Sequence, residues 1–275
     1  MKSLHSYFEK AKKEKFAVGQ FNFSTIEQMK STIRAAKKME SPVILGTSEG
    51  EGKFFGLKEA FVMKEIINLE YNVPVFLNLD HGKNFDFIKT AVDIGYDSVH
   101  YDGSLLPFDE NIKRTKEVVS YAKKRGVLVE GELGVIKDKS SVSRNDFTSL
   151  SKVERFVKET NVDLLAISIG NVHGVYVKMP SLDLNLLSEI RKKTEIFLVL
   201  HGASGLKNED IKNCIKRGIV KTNINTELRN VWKESLKKEL SSKEIKPYKI
   251  LEKTEKVLEK RVIEKIKTLH SFKKI

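Results

Sequence analysis

Cysteine is nearly absent from this chain of 275 residues, which contains only Cys214. A single cysteine excludes an internal disulfide framework, and the helix-like stretch EDIKNCIKRG around it is more typical of packing than of thiol chemistry. No segment approaches the ~18 consecutive apolar residues of a membrane-spanning helix, and the N-terminal stretch lacks the apolar core of a signal peptide. We therefore expect a cytoplasmic protein with no membrane partner.

Proline and low-complexity sequence are also scarce. The chain has 5 prolines and 16 glycines, with 40% hydrophobic and 32% charged residues, a composition that argues against disorder and is typical of a folded globular protein. A single α/β barrel takes about 250 residues, so we expect one domain over residues 1–275. From about residue 227 the sequence is helical and basic, which predicts a C-terminal extension.

The formal net charge of +13 would suit a nucleic-acid-binding protein, but the positive residues are not clustered. Lysines are spread beside glutamates along predicted helix surfaces, as in KKEKF, IRKKTE and KKELSSKEIK. We therefore expect no nucleic-acid partner. A positive field attracts phosphorylated metabolites, so the charge favours an anionic small-molecule substrate.

Eight short β-rich runs alternate with helical stretches along the chain. The runs are FAVGQFN (16–22), PVILGTS (42–48), VPVFLNLD (73–80), DSVHYDGS (97–104), VLVEGELG (127–134), LLAISIG (164–170), FLVLHG (197–202) and IVKTNINT (219–226). Several are near-continuous Val/Ile/Leu segments, typical of strands buried on both faces of a parallel sheet. The pattern predicts an α/β protein with a (β/α)8 TIM barrel. An open doubly wound sheet is the alternative, but neither GxGxxG nor GxxxxGK[ST] follows any strand.

The last predicted helix has one apolar face. Its members are Leu251, Val257, Leu258, Val262, Ile263, Ile266 and Leu269. Such a face packs against the barrel or against a second subunit, and the sequence leaves both alternatives open.

Polar and ionisable residues cluster at the predicted C-terminal ends of the strands, where barrel enzymes place their chemistry. These residues are Asp80, His81, Asp102, Glu132, His173, His201, Asn223 and Asn225. The clustering predicts one active site at that face of the barrel.

Three of the six histidines, His81, His173 and His201, are each followed by glycine. Glycine lets the backbone turn sharply and lets a substrate approach the main chain. Three imidazoles that leave one coordination position open are typical of a catalytic zinc site, whereas a structural site has four ligands, usually with cysteine. The alternative, three separate buried polar residues, fits less well with their matching positions at strand ends. We assign no role to His5, His100 and His270.

Asp80 directly precedes His81, and neighbouring strand residues point to opposite faces. Both can face the site only if the chain turns there, which Gly82 permits. A carboxylate beside a bound metal can move a proton to or from a substrate hydroxyl, and the alternative is that it only orients a histidine. We interpret Asp80 as the catalytic acid/base.

Two later segments predict a phosphate site. HGASG (201–205) is a glycine-rich loop after a strand, and KTNINTE (221–227) is an Asn/Thr-rich strand end before a helix. Loops after the seventh and eighth strands of a barrel frequently bind phosphate through backbone N–H groups. Together they make a phosphorylated substrate the expected partner.

These motifs resemble those of the class II ketose-bisphosphate aldolases, which include fructose- and tagatose-bisphosphate aldolases. The matching segments, between about residues 16 and 230, are FNFSTIEQ, SPVILGTSEGEG, LNLDHG, YDGS, GELG, GNVHGVY, LVLHGASG and KTNINTE. The resemblance implies a (β/α)8 barrel and a homodimer or homotetramer. It also implies reversible cleavage of a ketose 1,6-bisphosphate, a phosphorylated sugar, into dihydroxyacetone phosphate and an aldehyde phosphate.

Position by position, the resemblance implies that His81, His173 and His201 bind a catalytic Zn²⁺ and that Asp80 exchanges the proton of the C4 hydroxyl. Dihydroxyacetone phosphate would be held by Gly174, Gly202, Ala203, Ser204, Asn223, Ile224, Asn225 and Thr226. Asp102 and Glu132 match positions for a second cation, a divalent metal or a monovalent ion, and Asn22 and Ser48 match residues near the substrate. Zinc would polarise the C2 carbonyl and stabilise the enediolate, so no Schiff-base lysine is needed.

The sequence departs from the family after GELG. Family members have a flexible loop with a GG-x-ED type segment, whose glutamate exchanges the C3 proton of the enediolate. Here the stretch ELGVIKDKSSVSRNDFTSLSKVERF is shorter by a few residues and lacks that glutamate, and Asp138 is the nearest carboxylate after it. Three hypotheses stay open: an active aldolase for a ketose bisphosphate, an aldolase for another phosphorylated keto-sugar such as a deoxy-keto-gluconate phosphate, and a metal-binding barrel with impaired catalysis.

Overall fold

A closed barrel of eight parallel strands forms the centre of the computed structural model, which describes residues 2–137, 143–174 and 181–275. The strands follow one another in sequence order, and the last pairs with the first. Their bounds are β1 (Val18–Asn22), β2 (Val43–Ser48), β3 (Val75–Gly82), β4 (Ser98–Tyr101), β5 (Leu128–Leu133), β6 (Leu164–Ile167), β7 (Phe197–Leu200) and β8 (Ile219–Ile224). The predicted (β/α)8 barrel is confirmed.

Helices surround this barrel. Their bounds are α1 (Leu4–Glu14), α2 (Ile26–Met39), α3 (Glu49–Phe55), α4 (Leu57–Tyr71), α5 (Phe85–Ile94), α6 (Phe108–Lys123), α7 (Leu150–Thr160), α8 (Leu184–Lys193), α9 (Asn208–Lys216), α10 (Thr226–Leu240) and α11 (Pro247–Thr268), with a 3₁₀ turn at Arg144–Asp146. Caps explain several helix starts: Ser48 and Glu51 form a capping box at α3, and the Asn84 side chain accepts the N–H of Phe87 at α5. Within the described ranges, no helix is long and apolar enough to cross a membrane.

Most strands end earlier than the sequence pattern predicts. Residues 102–104, 168–170 and 225–226 lie beyond the ends of β4, β6 and β8, because the chain leaves the sheet there to form the loops and helix starts of the C-terminal face. β1 and β2 end at the predicted residues, and β3 continues through Gly82, two residues further than expected.

The N-terminal end of the barrel interior is apolar. One buried cluster contains Leu4, Tyr7, Phe8, Ala11, Phe16, Val18, Ile44, Phe76, Leu164, Ala166, Phe197, Val199 and Val220. Helix α1 lies across this end: the ring centroid of Phe8 is 5.3 Å from that of Phe197, and that of Tyr7 is 5.8 Å from that of Phe76. The barrel is therefore closed opposite the predicted site. We call this group the α1 cluster.

Most of the apolar face of the terminal helix packs within the chain. Leu258 and Ile266 of α11 are buried in the main hydrophobic core, whereas Val257 is 46% exposed. Arg34 of α2 forms ion pairs with Glu255 (2.5 Å) and Glu259 (3.1 Å) of α11. The sequence left open whether this face packs against the barrel or against a second subunit. Leu258 and Ile266 pack against their own barrel.

Candidate active site

The C-terminal end of the barrel opens into a cavity of about 740 Å³, a size suited to a small-molecule ligand. Its lining includes the predicted residues Ser48, Asp80, His81, Asp102, His173, Gly174, His201, Gly202, Ser204, Asn223, Asn225 and Thr226. Lys83, Lys137 and Arg229 also line it. The tertiary structure therefore brings the strand-end residues together at one site.

An irregularity at the end of β3 turns both Asp80 and His81 toward this cavity. The pairing of β3 with β4 shifts just before Gly82, and His81 has a left-handed backbone with φ of 50°. The expected turn is present, but His81 makes it instead of Gly82. A Cβ on Gly82 would lie 2.8 Å from the side chain of Ile88 and 3.0 Å from the backbone oxygen of His100, so this glycine permits close packing of α5.

The imidazoles of His81 and His201 face each other, with Nε2 of His81 3.0 Å from Nδ1 of His201. The other nitrogen of each ring lies against a carboxylate. His81 Nδ1 is 3.1 Å from Asp102 Oδ2, and His201 Nε2 is 2.6 Å from Glu130 Oε1. Because an ionised carboxylate only accepts hydrogen bonds, these outer nitrogens carry the protons. Nδ1 of His201 therefore presents a lone pair toward Nε2 of His81. When His81 is neutral, its Nε2 presents a lone pair as well, an arrangement that a bound cation stabilises.

His173 completes the group of three predicted histidines. Its ring centroid lies 4.8 Å from that of His81 and 6.0 Å from that of His201. The backbone N–H of His173 donates to the oxygen of Lys137 (2.9 Å), and the Asn171 side chain donates to the backbone oxygen of His201 (3.1 Å). These bonds tie the loop after β6 to the ends of β5 and β7, which places His173 beside the other two rings.

Asp80 is buried at the site, and amides hold both of its carboxylate oxygens. Asn223 Nδ2 donates to Oδ1 at 2.9 Å, and Asn22 Nδ2 donates to Oδ2 at 2.9 Å. Asn22 in turn accepts from Gln20 (3.0 Å), which accepts from Asn78 (2.9 Å). This buried chain of hydrogen bonds gives the carboxylate one orientation.

Buried charges set the protonation states of these groups. Burial raises the pKa of Asp80, but the neighbouring imidazoles, led by His81, and the Lys221 ammonium outweigh it and hold the pKa well below its usual value. Burial and the nearby rings of His81 and His201 lower the pKa of His173 to about 3, and burial also lowers the pKa of His201. Burial lowers the pKa of His81, but the Asp80 and Asp102 carboxylates outweigh it and raise that pKa. At neutral pH Asp80 is therefore ionised, and His173 and His201 are neutral, the form that binds metal, whereas His81 gives up a proton when a metal binds.

Two overlapping groups of donor atoms lie within 4.8 Å of one another: Asp80, His81, His100 and His201, and His81, Asp102 and Glu132. Nε2 of His100 lies 3.3 Å from Oε2 of Glu132, and both atoms lack a hydrogen-bond partner in the part of the chain that is described. Nδ1 of His100 accepts the backbone N–H of His81 at 3.1 Å. His100, to which the sequence assigned no role, thus supports the left-handed backbone of His81.

The loops after β7 and β8 meet at the start of α10. Oγ of Ser204 accepts the N–H groups of Asn225 (3.3 Å) and Glu227 (3.2 Å). Gly202 has φ of 65°, and a Cβ there would lie 2.1 Å from the backbone oxygen of Val172, so only glycine fits. The two predicted phosphate segments therefore adjoin at a helix N-terminus, a position that favours anions.

Two predicted residues of these segments point away from the cavity. The side chains of Ala203 and Ile224 belong to the main hydrophobic core. Along β8, Asn223 faces the site and Ile224 the surrounding helices, because alternate strand residues occupy opposite faces. Ala203 and Ile224 can therefore contact a ligand only through the main chain.

Glu51, at the start of α3, joins four elements around the cavity. Its Oε2 accepts from the N–H of Ser48 (2.8 Å) and from Asn22 Nδ2 (3.0 Å). Its Oε1 accepts from Arg229 Nη2 (2.6 Å) and Asn225 Nδ2 (3.3 Å). Asn22 and Ser48, expected near the substrate from the sequence, are thus part of one network at the site.

The loop after β5 is described as far as Lys137 and again from Ser143. Nζ of Lys137 pairs with Asp146 at 2.8 Å. Asp138, the carboxylate nearest to the ELG segment, lies outside the described residues, so its role stays a prediction.

Sequence reasoning missed three interior residues, His100, Glu130 and Lys221. Each precedes a predicted site residue by two positions in the chain, and residues two apart in a strand share a face. Applying that period to β4, β5 and β8 would have identified them. Glu51 has no such signal, because it lies in a helix.

Comparisons with known proteins identify the family and agree with the barrel fold. The family model described as Fructose-bisphosphate aldolase class-II matches residues 2–274. The 6-phospho-5-dehydro-2-deoxy-D-gluconate aldolase of Bacillus subtilis (strain 168) is 40% identical over 241 residues, which cover 86% of this chain and 83% of that protein. The fructose-bisphosphate aldolase of Geobacillus stearothermophilus is 39% identical over 231 residues, covering 82% and 80%. Among solved structures, the YdjI aldolase from Escherichia coli K12 matches with a TM-score of 0.90 and 32% identity, covering 99% of this chain and 98% of that one.

Proposed function

This chain belongs to the class II fructose-bisphosphate aldolase family, and from that premise we propose that it cleaves a phosphorylated ketose reversibly between C3 and C4. The products would be dihydroxyacetone phosphate and an aldehyde, and the metal would be Zn²⁺. One observation carries the proposal. An ionised Asp80, held by two amides, lies beside the facing ring nitrogens of His81 and His201.

Among the described residues, the donor groups that could hold a divalent metal ion contain His81 and His201 but not His173, whose ring centroid lies 4.8 Å from that of His81. His81, His173 and His201 would hold the ion. The contacts of the outer ring nitrogens of His81 and His201 with carboxylates support this, because such contacts orient imidazole ligands. When bound, the ion supplies a Lewis acid that withdraws electron density from the substrate carbonyl. Three nitrogen ligands without cysteine favour a catalytic zinc site over a structural one.

Asp80 would perform the proton transfer that cleavage requires. In a ketose 1,6-bisphosphate, the C4 hydroxyl gives its proton to the carboxylate, the C4–O bond becomes the aldehyde carbonyl, and the electron pair of the C3–C4 bond passes to the ketone fragment. The lowered pKa keeps the carboxylate ionised before the proton transfer, and Asn22 and Asn223 orient its oxygens. In the synthetic direction the same residue returns the proton.

The phosphate of the ketone fragment would bind at the start of α10. The segments Gly202–Ser204 and Asn223–Thr226 meet there, and Gly174 lies in the same cavity lining. Backbone N–H groups and the helix dipole favour an anion at such a position. Glycine at position 202 also lets the main chain come close to a ligand.

The lysines argue against a Schiff-base mechanism. Lys221 points into the barrel, but it is 1% exposed and its Nζ lies 2.5 Å from Glu130 Oε2, so a substrate carbonyl cannot reach it. Lys137 and Lys83 line the cavity, yet Lys137 pairs with Asp146 at 2.8 Å and the Lys83 side chain is 61% exposed. Neither is desolvated as a Schiff-base lysine requires.

Asp102 and Glu132 would hold a second cation, divalent or monovalent. Their oxygens lie with a nitrogen of His81 within 4.8 Å of one another. Oε2 of Glu132 is buried without a hydrogen-bond partner among the residues described, which a bound cation would remedy.

Two substrate classes suit this cavity. Fructose or tagatose 1,6-bisphosphate is the first, and 6-phospho-5-dehydro-2-deoxy-D-gluconate, the compound named in the 40% identical relative, is the second. Both have a ketone next to a phosphorylated carbon, so both would yield dihydroxyacetone phosphate. They differ at the other end, where one has a phosphate and the other a carboxylate. Lys83, Lys137 and Arg229 line the cavity and can pair with either anion.

The test is release of dihydroxyacetone phosphate from each of these compounds before EDTA treatment, after it, and after adding Zn²⁺ back. We expect one ketose phosphate to be cleaved, with activity lost on chelation and restored by zinc. Borohydride added with dihydroxyacetone phosphate should leave activity intact, because no Schiff base forms that it could reduce. Full activity in chelator would contradict the metal assignment, whereas bound zinc without cleavage of any compound would support the barrel with impaired catalysis. Sedimentation of the same preparation would test the predicted homodimer or homotetramer.

A further inference from the structure

We propose that the buried ion pair of Glu130 and Lys221 is a positioning device that presents Nδ1 of His201 as the metal-binding nitrogen. The inference rests on the proposed function, because it takes His201 as a ligand. It assigns a role to two interior residues whose side chains do not line the cavity.

Glu130 and Lys221 meet across the interior of the barrel. β5 and β8 are separated by β6 and β7, so both side chains must point inward to make contact. The Lys221 Nζ lies 2.5 Å from Glu130 Oε2, and each side chain is 1% exposed. Burying two charges costs several kcal/mol per ion, and the α1 cluster shows that this barrel can fill its interior with apolar side chains. A charged pair in this place therefore indicates a function beyond filling space.

Each oxygen of Glu130 has a different partner. Oε2 accepts from Lys221, and Oε1 lies 2.6 Å from Nε2 of His201. An ammonium group only donates and a carboxylate only accepts, so the hydrogen of His201 must be on Nε2. Nδ1 then has the lone pair, and it faces Nε2 of His81 at 3.0 Å.

Without Glu130, the neighbourhood of His201 would favour the opposite tautomer. Asn223 Nδ2 lies 3.3 Å from Nε2 of His201, and as a donor it would stabilise a lone pair on that nitrogen and a hydrogen on Nδ1. A protonated Nδ1 cannot bind metal. The 2.6 Å contact with Glu130 prevails because it is shorter and involves a charge. Lys221 acts through Glu130, since it holds the carboxylate in place and offsets its charge.

The alternative is a purely structural pair that only joins β5 to β8. Glu130→Leu/Lys221→Met distinguishes the two, because it replaces both charges by apolar side chains of similar size and should keep the fold. The matched control is Arg34→Met/Glu259→Leu, which removes an ion pair between α2 and α11 (3.1 Å) away from the cavity. Thermal unfolding reports whether either variant has lost its fold.

We expect the dissociation constant for Zn²⁺, measured by competition with a chromophoric chelator, to rise about 10–100-fold in Glu130→Leu/Lys221→Met. The control variant should bind zinc like the wild type. Glu130→Gln retains an oxygen that can accept from Nε2 and should recover part of the affinity. Unchanged zinc affinity in the folded double variant would overturn the proposal.

A second measurement tests the tautomer in the wild type and does not depend on the folding of the double variant. In the metal-free wild type, long-range ¹H–¹⁵N correlations of the His201 ring, assigned with His201→Gln, should place the hydrogen on Nε2. In Glu130→Leu/Lys221→Met the hydrogen should move toward Nδ1. A hydrogen on Nδ1 in the wild type would also overturn the proposal. If the wild type binds no zinc at all, the proposed function fails instead, and the ring spectrum still decides the tautomer.

Discussion

The two ends of the barrel interior have opposite chemistry, although the same eight strands build both. At the N-terminal end, the α1 cluster is entirely apolar and is covered by α1. At the C-terminal end, ionised and imidazole side chains such as Asp80, Glu130 and His201 are equally buried. One end stabilises the fold by removing apolar surface from water. The other is stable because its charges and polar groups satisfy one another.

The change from one chemistry to the other occurs within single strands. In β3, successive interior positions are Phe76, Asn78 and Asp80, an apolar, an amide and a reactive side chain. The Asn78 amide is satisfied by hydrogen bonds to neighbouring interior side chains. Ser98 donates to Asn78 at 2.7 Å, and Asn78 donates to Gln20 at 2.9 Å. Stability and chemistry are therefore separated along the strand direction, so each can be disturbed without the other.

The largest expected effect comes from changing the reactive end alone. Asp80→Asn preserves size but removes the charge that accepts the substrate proton. We expect the rate of cleavage to fall by about 10²–10⁴-fold, while the thermal midpoint stays close to that of the wild type because the α1 cluster is untouched. Release of dihydroxyacetone phosphate and thermal unfolding measure the two quantities.

Asp86→Asn is the matched control for that change. Asp86 lies on α5, with a side chain 90% exposed, so its amide should alter neither quantity. Turnover of Asp80→Asn at the wild-type rate would show that Asp80 only orients its neighbours.

The next largest effect is expected at the apolar end and concerns the free energy of unfolding. Phe8→Ala removes a fully buried ring from the α1 cluster, and such truncations cost about 3–5 kcal/mol of unfolding free energy. We expect this loss in urea denaturation, with kcat and KM unchanged in the folded fraction. Phe54→Ala, at a ring that is 77% exposed, should be nearly neutral. A fall in kcat for Phe8→Ala would show that the two ends are coupled.

We expect the smallest effect from a change at the reactive end that weakens substrate binding more than the chemical step. Ser204→Ala removes the hydroxyl that accepts the N–H groups of Asn225 and Glu227, so it should loosen the predicted phosphate site. We expect KM for the ketose phosphate to rise by about tenfold, equivalent to ~1.4 kcal/mol, with kcat changed less. Steady-state kinetics beside Ser242→Ala, an exposed serine, would check this. A larger fall in kcat than rise in KM would place Ser204 in the chemical step.

Residues with a local signal could be predicted from the sequence. His81, His173 and His201 each precede a glycine at a strand end, and Asp80 adjoins one of them. The structure brings all four to one cavity. The same motifs also included Ala203, whose side chain lies in the hydrophobic core, because a segment that binds through its backbone gives no indication of side-chain direction.

The succession of strands and helices and the residues at the strand ends follow from the sequence, because the periods of two and 3.6 residues and the turn residues are local properties. The pairing of Glu130 with Lys221 does not, because it joins β5 to β8 across the closed barrel and exists only in the folded chain. The tertiary structure alone also decided that the turn falls at His81, through the shift of β3 against β4. Both depend on barrel closure and strand register, which arise between segments far apart in the chain.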